Sequence, residues 1–478
     1  MEAAPRSQFE RHSNAARLLR TLLGYALPLA AGLALRLWAL RICFEAQVDS
    51  LIYGGIAKNL LLHGRYALNG AGGEIYPSII RLPGYPLFLA CCFKLFGMEN
   101  YYAPCLIQIA LDLAACLLLA DFARHIAHPQ LKNGAAIATL WLAALCPFTA
   151  SYAAMPLTET PTIFCLALAL WSMAHFRQRP GWKLALTFTL AVTYAALLRP
   201  DGALAAVAFA PALVLGLRPT LMQPRKLIRM AAVCALIAIT PFALWTARNW
   251  KTFHVFQPLA PRLAIEADEK PDLGWETWVK SWCLDYVSTY QVYWNVPGSE
   301  LDIGQLPNRA FDSPAQRAET ASIAADYNNN GYDLSPEIDV RFGALARERI
   351  SAHPLRYYIG LPLGRVADMW LRPRVENLPI DLDWWVYAHH WAETKFSWSW
   401  AALNVLYLVL ALLGLCMKPK LWLPLVAYML LRSALLLTVE APEARYTLEC
   451  FPMIFVLAGN AVALMVGRSL HGRRKIAV

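Results

Sequence analysis

Apolar runs long enough to cross a bilayer alternate with short polar connections along most of this chain. A crossing helix needs roughly 20 mostly apolar residues. The pattern predicts such helices near 18–43, 101–124, 134–153, 160–176, 183–198, 202–217, 227–247, 397–417, 421–438 and 446–467. Two polar stretches interrupt them, 44–100 and 248–396. Within the first, DSLIYGGIAKNLLLHG places Ile52, Ile56 and Leu60 at helical spacing, with Tyr53 and Leu61 beside them. Such a helix can lie with one side in lipid and the other in water. The run PGYPLFLACCFKLFG, 83–97, opens on proline and carries a lysine. It is short for a crossing and is expected to lie on the outer surface. The second stretch ends in ERISAHPLRYYIGLPLGRVADMWLRP, which reads as an amphipathic helix returning to the bilayer. The chain is thus expected to divide into a transmembrane module, 1–247, a loop domain, 248–396, and C-terminal transmembrane helices, 397–478.

Charge fixes the orientation that hydropathy leaves open. Arg6, Arg11, Arg17 and Arg20 precede the first apolar run, which is too long for a signal-peptide core and reads as a retained anchor. With that end inside, the connections 124–134, 176–183, 218–229, 418–420 and 467–475 also fall inside, and each is basic without an acid. Asp49, Glu74, Glu159, Asp201, Glu440 and Glu443 fall outside. This is the positive-inside pattern. It accounts for the net charge of +10 and argues against a nucleic-acid partner. A hydrophobic share of 58% against 16% charged, with mean hydropathy +0.39, excludes an ordinary soluble domain. The 11 cysteines are scattered, mostly in apolar runs and without a CxxC, and read as small hydrophobes.

Asp49 stands at the start of its helix, where capping and catalysis each explain an acid. Glu159 in MPLTETP and Asp201 in LLRPDG, beside Arg199, reach the same face from distant parts of the chain. So do Arg81, Arg248 and Arg445. Acids and arginines at one level of a helix bundle suit the deprotonation of a nucleophile together with the neutralisation of an anionic leaving group. Arginine matches phosphate with two parallel hydrogen bonds.

The stretches VDSLIYGGIAKNLLLHGRY, IIRLPGYPLFLACCFKLFG, LTETPT, LLRPDG, TPFALWTARNW and PEARYTLECFPMIFVLAG occur in that order from the first span to the last. Together they resemble the polytopic glycosyltransferases of the GT-C class, in particular the family that includes dolichyl-phosphate-mannose protein mannosyltransferases and the bacterial aminoarabinose transferase of lipid A. The resemblance implies an all-α membrane fold of about ten to thirteen spans, with interfacial helices in the first outer loop. It implies an enzyme of the bacterial inner membrane, its site facing the periplasm, that moves a sugar from a polyprenyl-phosphate carrier to a lipid, glycan or protein acceptor. By position, Asp49 matches the first-loop acid that serves as general base, and Glu159 the second acid, which orients the acceptor or helps hold a divalent ion with Asp49. No other cofactor is implied. Arg81, Arg248 and Arg445 match residues that contact the carrier phosphate, and Tyr53, Tyr85, Arg199, Asp201, Glu443 and Tyr446 are expected to line the substrate site. Two departures stand out: Asp49 is followed by Ser50 where the protein mannosyltransferases have Asp-Glu, and their large soluble module has no counterpart here. Both favour the broader bacterial branch over a protein acceptor.

The rival reading is a transporter of lipid-linked sugars. It calls for ionisable residues along a midplane pathway, and no internal repeat is visible. Other signals carry less. Tryptophans 275, 278, 282, 294, 370, 384, 385 and 391 suit either an interfacial belt or sugar stacking. DYNNNGYDLSPE, 326–337, follows the calcium-loop pattern but has Asp333 where an aliphatic residue belongs, and reads as a turn. Asp112, inside a span, is expected in a structural ion pair, and Arg432 near the outer side could meet the carrier phosphate. His389 and His390, adjacent in a helix, receive no role, and Glu440 and Glu443 suit a solvated loop.

Overall fold

The computed structural model describes residues 6–46, 48–70, 72–215, 222–385 and 387–476, without the side chains of 6–22, 387–389 and 469–476. The side chains of Arg6, Arg11, Arg17, Arg20 and His389, and the first part of the basic loop 218–229, lie outside the described residues. The regular secondary structure of the described residues is helical apart from one antiparallel hairpin, β1 (Ala67–Asn69) with β2 (Ile75–Pro77), in which Leu68 faces Tyr76. The all-α expectation holds. Contacts divide the chain into two compact units, one of 1–259, 406–428 and 449–478, the other of 260–405 and 429–448.

The first unit contains α1 (Arg6–Cys43), α2 (Val48–His63), α3 (Gly84–Phe96), α4 (Tyr102–Ile126), α5 (Lys132–Ala144), α6 (Pro147–Ala153), α7 (Glu159–Gln178), α8 (Trp182–Leu198), α9 (Leu204–Val214) and α10 (Pro224–Phe253), with Phe451–Ile476 near its end. Among the described residues, five helical stretches are long and apolar enough to cross a membrane: Leu23–Cys43, Tyr102–Ile126, Pro224–Phe253, His390–Cys416 and Ala444–Arg468. The run expected as one span over 134–153 is α5 plus α6, bent by 54°. Pro147 opens α6 and has no N–H to continue the ladder, which explains the break. Four further apolar helices are shorter: Gly84–Phe96, Trp182–Leu198, Pro200–Val214 and Trp422–Leu436. The 13 residues of α3 rise about 20 Å, under the ~30 Å of a hydrocarbon core.

Burial follows from two solvents. Only 6% of the apolar window of α10 is covered; Leu236, Ile239 and Leu244 are exposed, as residues facing lipid tails would be. The centre of the unit, by contrast, buries Arg36 and Asp112 as an ion pair of 2.5 Å. Arg36 also donates to the carbonyls of Gly32 and Ala144, so its charge is fully engaged. The structural role expected of Asp112 is borne out. Gly84 lets α3 touch α8: a Cβ there would come within 2.6 Å of the Leu197 backbone.

In the second unit Trp275, Trp278 and Trp282 follow the 3-and-4 spacing of one helix face and are buried against Phe342, Ile323 and Tyr327. The ring centroids of Trp278 and Phe342 are 4.8 Å apart. These three are core, which corrects both the belt and the sugar-stacking expectation; Trp294, Trp385 and Trp391 remain exposed. Asp326–Asn329 close the helix Pro314–Asn329, with Asp326 paired to Arg341 at 2.5 Å and Asn328 accepting from Leu301 N at 2.9 Å. The calcium-loop pattern is therefore a helix end followed by a turn at Gly331, whose φ is +72°. Nor are the two acids near 440 solvated. Glu440 meets Arg262 at 2.5 Å and Lys280 at 3.2 Å, and Glu443 is buried against Arg445 and Tyr446.

Candidate functional site

The site grows out of two chain reversals in the first unit. Helices α7 and α8 are joined by a short connection, so the first residue of α7, Glu159, lies at the same end as the residues after α8, Arg199 and Asp201. Arg199 Nη1 donates to Glu159 Oε1 at 2.9 Å, and its Nε lies 3.4 Å from Asp201 Oδ1. The same Nε lies 3.0 Å from Glu449 Oε1, just ahead of Phe451–Ile476. Glu159 and Glu449 are buried to 1% and 0% exposure, whereas Asp201 keeps 17%. Tyr428 donates to the other oxygen of Glu449 at 3.4 Å.

Asp49 sits in the first turn of α2 and meets Arg81, from the loop before α3, at 2.7 Å. Both keep some contact with solvent, 28% and 18% exposed. Arg81 stands over the Tyr53 ring, 5.6 Å from its centroid. Ser50, next to Asp49, donates to the Pro156 carbonyl at 3.0 Å, which ties α2 to the segment entering α7.

Tyr53 joins the two groups. Burial pushes its phenol up to about 12; Arg81 and Arg199 act against that, and Asp49 and Glu159 reinforce it. Four charges from four separate places in the sequence therefore act on one hydroxyl. Tyr85 packs edge-on against Tyr53 at 5.0 Å and donates to Gln108 at 2.7 Å. Burial lifts its phenol well above the ordinary range, with Glu159 adding to the effect.

Arg248 faces the loop ahead of α3. It donates to the carbonyls of Ser78 at 2.8 Å and Tyr66 at 2.7 Å, and its guanidinium lies over the rings of Tyr66, Trp245 and Phe253. It thereby clamps the loop carrying Arg81 to α10. Glu443, Arg445 and Tyr446 belong to the second unit, where Glu443 accepts from both of the others. Arg432, in the same unit, donates to the Tyr446 carbonyl at 2.9 Å. A cavity of about 400 Å³ in that unit is lined by Arg262, Glu276, Lys280, Tyr357 and Glu440.

A divalent ion shared by Asp49 and Glu159 fits these residues poorly. Each carboxylate already faces an arginine, and neither belongs to a group of three close donors among the described residues. Sequence reasoning missed Glu449 and Tyr428. The signal for Glu449 was present, since it is an acid at the threshold of an apolar run, as Glu159 is.

Residues 81–245, 165 of the chain's 478, match the family model of dolichyl-phosphate-mannose-protein mannosyltransferase. The matched stretch holds Arg81, Glu159, Arg199 and Asp201. Among solved structures the chain is similar to the oligosaccharyltransferase AglB of Archaeoglobus fulgidus, with an inhibitory peptide and a dolichol-phosphate, at 11% identity and TM-score 0.47 over 96% of this chain and 52% of that one. It is also similar to ArnT of Cupriavidus metallidurans bound to undecaprenyl phosphate, at 17% identity and TM-score 0.38 over 93% of this chain and 78% of that one. The chain spans about half the length of the archaeal protein. No curated protein matches it.

Proposed function

We propose that the protein is an inverting glycosyltransferase that moves a sugar from a polyprenyl-phosphate carrier to an acceptor on the extracytoplasmic face. The observation that carries this reading is that the Ser50 bond to the Pro156 carbonyl ties the helix start bearing the Asp49–Arg81 pair to the segment entering α7, whose Glu159 pairs with Arg199. The family match over 81–245, which includes Arg81, Glu159, Arg199 and Asp201, supports it.

The chemistry follows from charge. An acceptor hydroxyl is a poor nucleophile until a carboxylate takes its proton, and Asp49, the more accessible acid, is placed for that. The acceptor oxygen bonds to the anomeric carbon as the carbon–oxygen bond to the phosphate breaks, and the electron pair leaves with the phosphate. Arg81, beside Asp49, offers a fork of donors to that growing charge. Glu159, buried on Arg199, holds the second cation in place. One base and one attack give inversion at the sugar carbon.

Purified protein in nanodiscs, given a labelled polyprenyl-phosphate sugar and membrane extract as acceptor source, should transfer the label with inverted anomeric configuration. Asp49→Asn should lower turnover at least 100-fold with insertion into the membrane unchanged. Retained configuration, undiminished turnover in the variant, or movement of the carrier across the bilayer without transfer would each overturn the proposal.

A further inference from the structure

Asp121 and His125 lie one turn apart near the end of α4, and His175 lies in the last turn of α7. His175 is sixteen residues beyond Glu159 on the same helix, about 24 Å away. The cluster is therefore separate from the transfer site and owes nothing to it. Each of the three side chains offers a donor atom, and these lie within 4.8 Å of one another. His175 Nε2 is 2.7 Å from Asp121 Oδ2, and His125 Nδ1 is 3.5 Å from the same oxygen. His125 Nδ1 also lies 2.7 Å from the Asp121 carbonyl oxygen.

We propose that Asp121, His125 and His175 form a binding site for a divalent transition-metal ion of the zinc class. Two imidazoles and a carboxylate are a donor set that zinc accepts, leaving a fourth position for water. Bonds of about 2.0–2.1 Å in a tetrahedron place ligand atoms about 3.3 Å apart, a spacing that the two distances to Asp121 Oδ2 bracket. The surroundings favour one mode of binding. Arg124 occupies Asp121 Oδ1 at 2.6 Å, so the carboxylate is left to bind through Oδ2, and Trp171 Nε1 steadies that oxygen at 3.0 Å. The histidine rings lie 4.3 Å apart, each on a long helix, so little needs to move for the donors to close on an ion.

The test uses the full chain, in detergent and stripped with a chelator, titrated with Zn²⁺ against a chromophoric competitor and separately with Co²⁺. One equivalent should bind, and Co²⁺ should give the visible absorption of a tetrahedral site. His125→Ala and His175→Gln should each weaken binding at least tenfold and the double variant abolish it, while Asp49→Asn binds as the parent does. Thermal melts without metal establish that the variants fold. Absence of a saturable site in the parent, unchanged affinity in folded variants, or loss of binding in Asp49→Asn would overturn the assignment.

Discussion

At Arg199 a single guanidinium reaches the carboxylates of Glu159, Asp201 and Glu449, two of them fully buried. Removing one partner of a buried pair leaves a charge without its counterion, at a cost of about 3–5 kcal/mol. Arg199→Ala should therefore lower the melting temperature sharply in detergent. Arg199→Lys, which keeps the charge and loses the planar fork, should fall between the two. Equal melting of all three proteins would show that the carboxylates do not depend on this cation. Asp49, Glu159 and Asp201 could be read from the sequence because each stands at the edge of an apolar run. Glu449 stands in the same relation to FPMIFVLAG and could have been read by the same rule. Arg36 was harder: it lies within an apolar run, and only the demand of Asp112 for a counterion points to it. The clamp at Arg248 was illegible, because its partners are backbone carbonyls 170 and 182 residues away.

Among elements, the helix Leu273–Lys280 sets a tryptophan face against the core and carries Glu276 on another side. Burial, and then the charge of Glu440, push the Glu276 carboxyl up to about 7 from an ordinary 4.5, with the Tyr293 hydroxyl opposing them. The folded protein then holds a proton that the unfolded chain gives up earlier. Stability from this group is full below pH 4.5 and is lost as pH rises through 7. Glu276→Gln, which cannot ionise, should melt above the parent at pH 8 and converge with it near pH 4.5. A constant offset across that range would assign the effect to packing. The role of this helix was misread from tryptophan content, although the 3-and-4 spacing of Trp275, Trp278 and Trp282 was a core signature. Composition says what a residue can do; spacing says which way it faces.

For the molecule as a whole, the positive-inside pattern assigns a side to every connection. Reporter domains fused after Pro129 and at the C-terminus should be active in the cytoplasm, and one inserted at Asn308 only outside. A cytoplasmic signal at Asn308 would invert the orientation and place Asp49 on the wrong face for a lipid-linked donor. The helical class was legible because apolar runs dominate the chain, whereas the 54° break between α5 and α6 was not, since Pro147 sits inside a run that stays apolar throughout. One consequence reaches beyond these parts. Arg248 rides on α10, the least covered of the five apolar stretches long enough to cross, and grips the loop whose Tyr66 donates to the Arg81 carbonyl at 2.8 Å. A bilayer thinner than the apolar stretch tilts the helix and a thicker one is drawn thin around it, and either would load the segment holding Arg81. Turnover in the proposed transfer should accordingly peak at one acyl-chain length, making the protein a gauge of the thickness of the bilayer around it.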